Sequence, residues 1–331
     1  MNVDCAHYSR GMRQPGDRMT IDEAAACQRG GNNYVWIELR EPGSAELGEV
    51  GRAFGLHELA LEDTLVAHQR PKVEAYDDFF FIVYRTAEYD ESTKRVEFGE
   101  LDLFLGVGFV IAVRHGRAGT PERARRHLEA YPHLVKSGPA AAVWAILDTV
   151  VDDYRPVVED LERDVDAIER AIFAGREDLT EQIYELKGEI GEIYRAVHPL
   201  LAPLDAVERG AFGVDPGLLR YFRDIADHVR TLQEEVLAER DELARILDAH
   251  LSLVRLRQNE IATEQNAAVS RLTLVATVFL PLTFVTGFFG QNFAWMEGHM
   301  DTLESFLVLG IGGLLLPLAL ILVLLKRSGY V

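Results

Sequence analysis

The sequence predicts an α/β soluble domain, a long α-helical stalk and two membrane-spanning helices at the C-terminus. Two runs without a charged residue, Leu272 to Phe289 and Phe306 to Leu325, support the membrane helices. Each is about as long as a helix needs to cross a bilayer core, roughly 20 residues. Upstream, short strand-like segments give way near residue 140 to long helical periodicities, which predicts the order of the soluble parts.

Composition limits the function classes. The chain has 331 residues and a formal net charge of −19. This acidity argues against nucleic-acid binding, which needs basic surface, and is compatible with attracting cations. The two cysteines, Cys5 and Cys27, lie near the N-terminus without ligand spacing, so neither a disulfide framework nor a zinc site is expected. The N-terminus has no apolar segment of the kind found in signal peptides, so a cleavable signal peptide is not expected.

Residues 1–135 are predicted to form the cytoplasmic α/β domain. We expect a loose N-terminal tail to about residue 30, with one short helix around Ile21 to Gln28. The turn after the second strand is placed at Glu88 to Ser92. The strands are read from β-branched and aromatic runs between turn residues, and the helices from apolar periodicity. The strands are 34–39, 79–85, 96–105 and 109–114, and the further helices are 45–54 and 121–131.

Residues 136–214 are predicted to form a helical hairpin. Its first helix spans Ala140 to Phe173 and its second Leu179 to Val207, where Pro199 and Pro203 are expected to bend or end it. Residues 215–290 then form one helix. Asp215 supplies an N-cap acceptor and Pro216 suits the first helical position. About 75 helical residues correspond to roughly 110 Å, which a stalk continuing into a membrane span explains.

The remaining segments give the membrane topology. The first span covers about 271–290, the loop 291–305, the second span 306–326 and the tail 327–331. Lys326 and Arg327 follow the second span and Arg271 begins the first. The positive-inside rule therefore predicts a cell (inner) membrane protein with both termini in the cytoplasm. The external loop holds three acids, which either attract cations or are simply solvated: Glu297, Asp301 and Glu304.

One face of the first span carries small, apolar or modestly polar residues every three or four positions. Two interpretations are open. Such a face usually packs closely against another helix, or several copies of it could surround a channel. The residues are Val269, Leu272, Ala276, Leu280, Thr283 and Gly287.

The end of this span resembles the first membrane helix of the CorA family of divalent-cation channels. That family ends the helix in Gly-Met-Asn, preceded by Pro-Leu-Thr, here Pro281-Leu282-Thr283. Gly290 and Asn292 match the motif, whereas Gln291 stands in place of Met. A second similar block is Leu56 to Asp63 followed by His68 to Tyr76, where family members carry His-Pro-Leu-Ala-Ile-Glu-Asp and Gln-Arg-Pro-Lys. Read on its own, this block indicates ion pairs between its acids and Arg70 or Lys72.

The resemblance implies a homopentamer in membrane lipid whose five copies of the long helix line a pore. Gly290, Gln291 and Asn292 would form its selectivity filter. Asn266 matches a polar ring at the inner entrance, and Leu272 and Leu280 match hydrophobic constrictions. The transported and regulatory ion would be Mg²⁺, and no other cofactor is expected.

The resemblance also implies feedback by cytoplasmic ions. Arg223 to His228 is similar to a family segment whose acids share ions with the N-terminal domain of a neighbouring subunit. Asp224 and Asp227 fit the stalk side, and they could equally form a solvated face paired with nearby arginines. For the opposite side we select three acids of the strand and its turn: Glu88, Asp90 and Glu91.

The sequence therefore favours a potential-driven channel for magnesium, with cobalt or nickel as further ions. Two alternatives remain: a zinc transporter of the ZntB type, kept open by Gln291, and a membrane-anchored sensor or scaffold that conducts little. An enzyme is not predicted, because the sequence shows neither a nucleophile with a matched base nor a P-loop.

Overall fold

The computed structural model describes residues 3–15, 19–27, 33–67, 69–90, 95–117, 121–176, 178–291, 298 and 302–327. Its contacts divide the chain into two compact units, Met1–His250 and Leu251–Val331. One helix, α9 (Pro216–Phe289, 74 residues), contributes residues to both. The predicted combination of an α/β domain, a long helix and a C-terminal apolar helix is thus confirmed.

The first unit contains a seven-stranded sheet in the order β2-β1-β3-β7-β6-β5-β4. Only β3 and β7 pair in parallel, and the other neighbours are antiparallel. The strands are β1 (Val3–Ser9), β2 (Met12–Arg13), β3 (Asn33–Arg40), β4 (Lys72–Ala75), β5 (Phe79–Asp90), β6 (Arg95–Gly106) and β7 (Phe109–His115).

Helices cover both faces of this sheet, because its central strands bury side chains on both sides. In β3, Val35 and Ile37 join one core, whereas Trp36 joins the other. The first core holds α1 (Ile21–Cys27), α2 (Ser44–Phe54) and α3 (Glu58–Val66). The second holds α4 (Pro121–Glu129), α5 (Pro132–Val135), α6 (Pro139–Phe173), α7 (Thr180–Val197), α8 (Leu201–Glu208) and the first part of α9.

The loose N-terminal tail predicted before residue 30 is wrong. Strand β1 pairs with β3 along its full length. The strand has mixed polarity, but Ala6 and Tyr8 alternate with more exposed residues and are buried. The Tyr8 ring stacks on that of Tyr34, with ring centroids 4.8 Å apart. The Tyr8 hydroxyl also donates to Glu129 Oε1 at 2.7 Å.

Two further boundaries differ from the predictions. The turn placed at Glu88 to Ser92 is instead strand as far as Asp90, and 91–94 lie outside the described residues. The second hairpin helix ends at Val197, a short 3₁₀ segment follows at His198–Leu200, and α8 begins at Leu201. Proline lacks a backbone N–H, so Pro199 accounts for this interruption.

Helix α9 begins as predicted. The Asp215 carboxylate accepts from the backbone N–H of Gly217 at 2.7 Å and of Leu218 at 3.1 Å. In the first unit, three apolar residues on one stripe of α9 are buried: Leu232, Val236 and Leu243. That unit therefore uses the stripe as ordinary core packing.

The second unit contains the remainder of α9 and α10 (Leu303–Arg327, 25 residues). Both helices are long and apolar enough to cross a membrane, with mean hydropathies of 2.0 and 2.8 over their most apolar windows. Phe306–Ile311 within α10 is π-helical. A Cβ on Gly313 would lie 3.7 Å from the side chains of Val285 and Phe289, so α10 packs on that face of α9.

A buried ion pair joins helix α4 to the sheet. The Arg125 guanidinium lies 2.6 Å from Glu38 Oε1 and 2.7 Å from Asp4 Oδ2, and the Arg125 and Glu38 side chains are 4% and 3% exposed. Burial raises the pKa of Glu38 to about 6, although Arg125 acts in the opposite direction. The pair holds β1, β3 and α4 together.

Replacing Arg125 with Met should destabilise the first unit by about 3 kcal/mol or more, because it leaves the Glu38 carboxylate buried without its partner. We expect the unfolding temperature of the full chain in detergent to fall by roughly 10 °C. The double variant Arg125→Met/Glu38→Gln should recover part of this loss. The neighbouring exposed Arg126→Met is the control, and an equal fall there would contradict the assignment.

Strand β6 carries a second buried acid, Asp102, which is fully inaccessible to solvent. Burial and the nearby Glu100 raise the pKa of Asp102 to about 8. A carboxyl whose pKa is raised on folding binds its proton more tightly in the folded state. Its contribution to stability is therefore lost as the pH rises from about 4 to about 8.

Asp102→Asn should accordingly raise the unfolding temperature at pH 8.5 by several degrees relative to the parent chain, and this gain should shrink towards pH 5. Exposed Asp78→Asn should show no such pH-dependent difference. Thermal unfolding at four pH values measures both variants. A gain for Asp102→Asn that is constant with pH would exclude a titrating Asp102.

Candidate functional site

The predicted pore-lining face lies on the side of α9 that α10 leaves open. Within the second unit, half-exposed α9 residues such as Leu274, Val278, Val285 and Phe289 recur at helical spacing, and the last two are those that Gly313 faces. At 100° per residue, the predicted face lies roughly opposite. Its residues are all exposed: Asn266, Val269, Leu272, Ala276, Leu280, Thr283 and Gly287.

The exposed face is mostly apolar. Leu272 and Leu280 are 71% and 72% exposed, which is unusual for leucines of an aqueous surface. The Thr283 hydroxyl donates to Phe279 O at 2.8 Å, so it is satisfied within the helix. Asn266 is the one amide among these residues. The face therefore carries a polar amide at one level and bulky apolar side chains at others.

The helix ends at the predicted motif. The Gly290 N–H donates to Thr286 O at 2.9 Å and the Gln291 N–H to Phe288 O at 3.3 Å, which closes the last turn. A Cβ on Gly290 would come within 3.0 Å of Thr286 O, a tight contact that glycine avoids. Gln291 is exposed directly after the turn.

Of the outer residues selected from sequence, Glu304 is exposed at the start of α10. Asn292, Glu297 and Asp301 lie outside the described residues.

The predicted regulatory acids divide between two places on α6. Asp224 and His228 of α9 lie close enough to Asp148 to act on its pKa, which burial and then Asp152 raise most strongly. His127 Nε2 lies 2.9 Å from Asp148 Oδ2. We call Asp148, Asp224, His228 and His127 the α6–α9 cluster.

Glu88 lies instead beside Asp153. Burial raises the pKa of Asp153, and Glu88 contributes in the same direction, while Arg123 lies 2.6 Å from the Asp153 carboxylate and lowers it. Asp227 is exposed on α9. The side chain of Asp90 and all of Glu91 lie outside the described residues.

The part of the chain that the structure describes contains no group of three or more His, Cys, Asp or Glu side chains arranged to hold a metal ion. The described residues thus place the four members of the α6–α9 cluster, and Glu88 with Asp153, in loose groups. An ion would need further ligands from water or from another copy to complete six-fold coordination.

Sequence reasoning missed Asp148 and His127. A signal for Asp148 existed, because it is the first charged residue after the apolar run from Pro139 to Leu147 at the start of α6. A carboxylate there interrupts a stretch that is otherwise buried. His127 gave no comparable signal, since it sits in a short helix among several basic residues.

Comparisons with known proteins agree with this architecture. The sequence model of the CorA-like Mg²⁺ transporter protein family matches residues 31–327. The cobalt/magnesium transport protein CorA of Thermotoga maritima is 30% identical over 283 residues, covering 84% of this chain and 79% of that protein. The zinc transport protein ZntB of Yersinia enterocolitica is 26% identical over 243 residues, covering 70% of this chain and 69% of that one.

A solved structure shows the same fold. The CorA magnesium transporter of Methanocaldococcus jannaschii superposes with a TM-score of 0.65 at 18% identity, covering 99% of this chain and 98% of that one. The family match over nearly the whole chain and the two membrane-length helices support one assignment. The chain belongs to the CorA-like Mg²⁺ transporter family and is a membrane transporter of divalent cations.

Proposed function

We propose that the chain assembles as a homopentamer in which the exposed face of α9 lines a channel for Mg²⁺, with Co²⁺ and Ni²⁺ as further ions. This proposal rests on the difference between the two sides of α9 in the second unit. Helix α10 packs on one side, and the opposite side exposes leucines together with Asn266. Apolar side chains facing one another across a narrow pore can block ions by excluding water.

The outer end of the channel is proposed to select the ion. Mg²⁺ holds its hydration water tightly and prefers oxygen ligands. In a ring of chains, the amide oxygens of Asn292 would accept hydrogen bonds from that water without removing it. The end of α9 at Gly290 supports this placement, because the motif residues then follow directly after the last turn.

The proposed driving force is the membrane potential. Moving one charge across 100 mV is worth about 2.3 kcal/mol, so a divalent cation entering a negative interior gains about twice that. Glu297, Asp301 and Glu304 would raise the cation concentration near the outer mouth. Arg271, Lys326 and Arg327 support a cytoplasmic position for both termini through the positive-inside rule.

A second candidate is zinc transport. Gln291 replaces the Met that the CorA family carries at this position, and the chain is also similar to a zinc transport protein. A longer amide at the mouth would change the spacing of the oxygen ring. This candidate keeps the fold and changes the ion.

We further propose that cytoplasmic ions close the channel through the α6–α9 cluster. Asp148 and Asp224 lie close enough to repel one another, and burial adds to the cost of charging Asp148. A cation there, completed by donors such as Glu88, Asp90 or Glu91 of another copy, would relieve this repulsion. The ion would then favour one of two states through its higher affinity for that state.

Asn292→Ala should abolish potential-driven Mg²⁺ uptake into proteoliposomes, since the amide ring at the mouth is lost. We expect at least a tenfold lower flux at fixed inward-negative potential. Gln182→Ala, which removes an exposed amide on α7, is the control and should leave the flux unchanged. Zn²⁺ uptake that requires a proton gradient, without Mg²⁺ uptake, would favour the second candidate. Absence of flux for both ions would contradict a transport role.

Asp148→Asn/Asp224→Asn should weaken closure by internal Mg²⁺. The parent chain is expected to reduce its flux when the vesicle interior holds millimolar Mg²⁺, whereas the double variant should keep most of it. Asp178→Asn/Asp205→Asn removes the same charge from exposed positions elsewhere and serves as the control. Equal inhibition of all three proteins would remove the α6–α9 cluster from the regulatory mechanism.

A further inference from the structure

A cavity of about 1150 Å³ lies within the first unit, at the ends of β3 and β7. Glu41 directly follows β3, and His115 and Gly116 lie at the end of β7. These two strands are the parallel pair of the sheet. In open α/β sheets, ligands bind in the crevice outside the carboxyl ends of parallel strands. The cavity lies at the carboxyl ends of the parallel pair in this otherwise antiparallel sheet.

Three guanidinium groups line this cavity, in a chain with a net charge of −19. Arg70 belongs to the Gln-Arg-Pro-Lys segment, Arg85 to β5 and Arg195 to α7. Within the described part of the chain, Arg70 makes none of the ion pairs expected of that segment. Lys72 makes them, with its Nζ 2.6 Å from Asp63 Oδ2 and 2.8 Å from Glu74 Oε1. Arg70 and Arg195 are both exposed.

The two acids that line the same cavity, Glu41 and Glu100, are hydrogen-bonded to protein groups. Glu41 accepts from the Gly116 backbone N–H at 2.7 Å, and its other oxygen lies 3.3 Å from His115 Nδ1. Glu100 is 5% exposed and accepts from the Gln69 N–H at 2.6 Å. Both carboxylates thus have partners within the protein, although the Glu41 side chain is 66% exposed. The three guanidinium groups outnumber these two carboxylates, so the cavity lining carries an excess of positive charge.

One wall combines an aromatic ring with a guanidinium. The Arg85 Cζ atom lies 4.1 Å from the centre of the Phe98 ring, and its Nη2 lies 3.7 Å from Glu192 Oε2. The Phe98 ring restricts the orientations of Arg85. A guanidinium restricted in this way loses less freedom when it binds a planar or tetrahedral anion.

The backbone at the cavity is strained at two non-glycine residues. Glu41 has a φ of 44°, and Ala67 has a φ of 53° with a ψ of −176°, a region that is almost confined to glycine. Such conformations cost free energy and concentrate at binding sites. At Gly116, a Cβ would approach Gly99 Cα to 3.2 Å, so glycine permits the close backbone approach there.

We infer that this cavity binds a small molecule carrying two or more linked phosphates, of the size of a nucleoside di- or triphosphate. Arginine pairs with phosphate through two parallel N–H donors, and Arg70, Arg85 and Arg195 supply three such groups. The volume suits a ligand of this size. The inference is independent of which ion the channel carries.

Binding of ATP and of pyrophosphate to the full chain in detergent tests this inference, by isothermal titration calorimetry at 150 mM salt with EDTA present. We expect saturable binding of one molecule per chain. Arg70→Ala/Arg195→Ala should weaken the binding at least tenfold. Arg70→Lys/Arg195→Lys keeps the positive charges but loses the paired N–H donors of the guanidinium groups, so it should weaken the binding less. Tighter binding of ATP than of pyrophosphate would identify a nucleotide site, and equal binding a general oligophosphate site.

The control is Arg52→Ala/Arg126→Ala, which removes two exposed arginines outside the cavity and the same net charge. It should change the affinity less than twofold. Absence of saturable binding would overturn the inference. So would an equal loss in the control, since that would show attraction by overall charge, and so would unchanged affinity in the Arg70/Arg195 variants that keep the parent unfolding temperature.

Discussion

The requirement that backbone groups find partners inside lipid shapes the second unit. A helix meets this requirement along its whole length, since each N–H bonds within the segment. The hydroxyls of Thr273, Thr277 and Thr283 each donate to a carbonyl four residues earlier, at 2.7 to 2.8 Å. The polar side chains of this stretch can thus lie in an apolar environment. The helix continues to Phe289, and Gln291 and Asn292, whose amide oxygens are proposed to select the ion, follow it in the sequence.

The same helix meets different demands along its length. In the first unit, Leu232 and Leu243 of α9 are buried as ordinary core residues. In the second, Leu272 and Leu280 at the same kind of spacing are exposed. Sequence periodicity cannot distinguish these cases, because both produce an apolar face. The absence of charged residues from Leu272 to Phe289 is what separates the membrane-length stretch from the aqueous one.

Much of the fold was predictable from sequence, because long apolar runs, proline positions and the Asp215 cap are local signals. The first strand was not, since Val3 to Ser9 has mixed polarity and its burial depends on partners far along the chain. The same reason explains why two members of the α6–α9 cluster, Asp148 and His127, were missed. Asp148 and His127 lie on separate helices, and only the packing of α4 on α6 brings them to 2.9 Å. The face of α9 was predictable because all of its residues lie on one helix.

The anchoring of the first strand has a consequence for biosynthesis. Asp4 and Tyr8 bind Arg125 and Glu129, each pair 121 residues apart in sequence. Chains emerge from the ribosome N-terminus first, at roughly 5–20 residues per second. At those rates, α4 emerges about 6 to 24 s after the first strand. Only then can the polar side chains of the strand bind their partners on α4. During translation, the Asp4 and Tyr8 side chains therefore lack these partners even after β3 has emerged to pair with the strand.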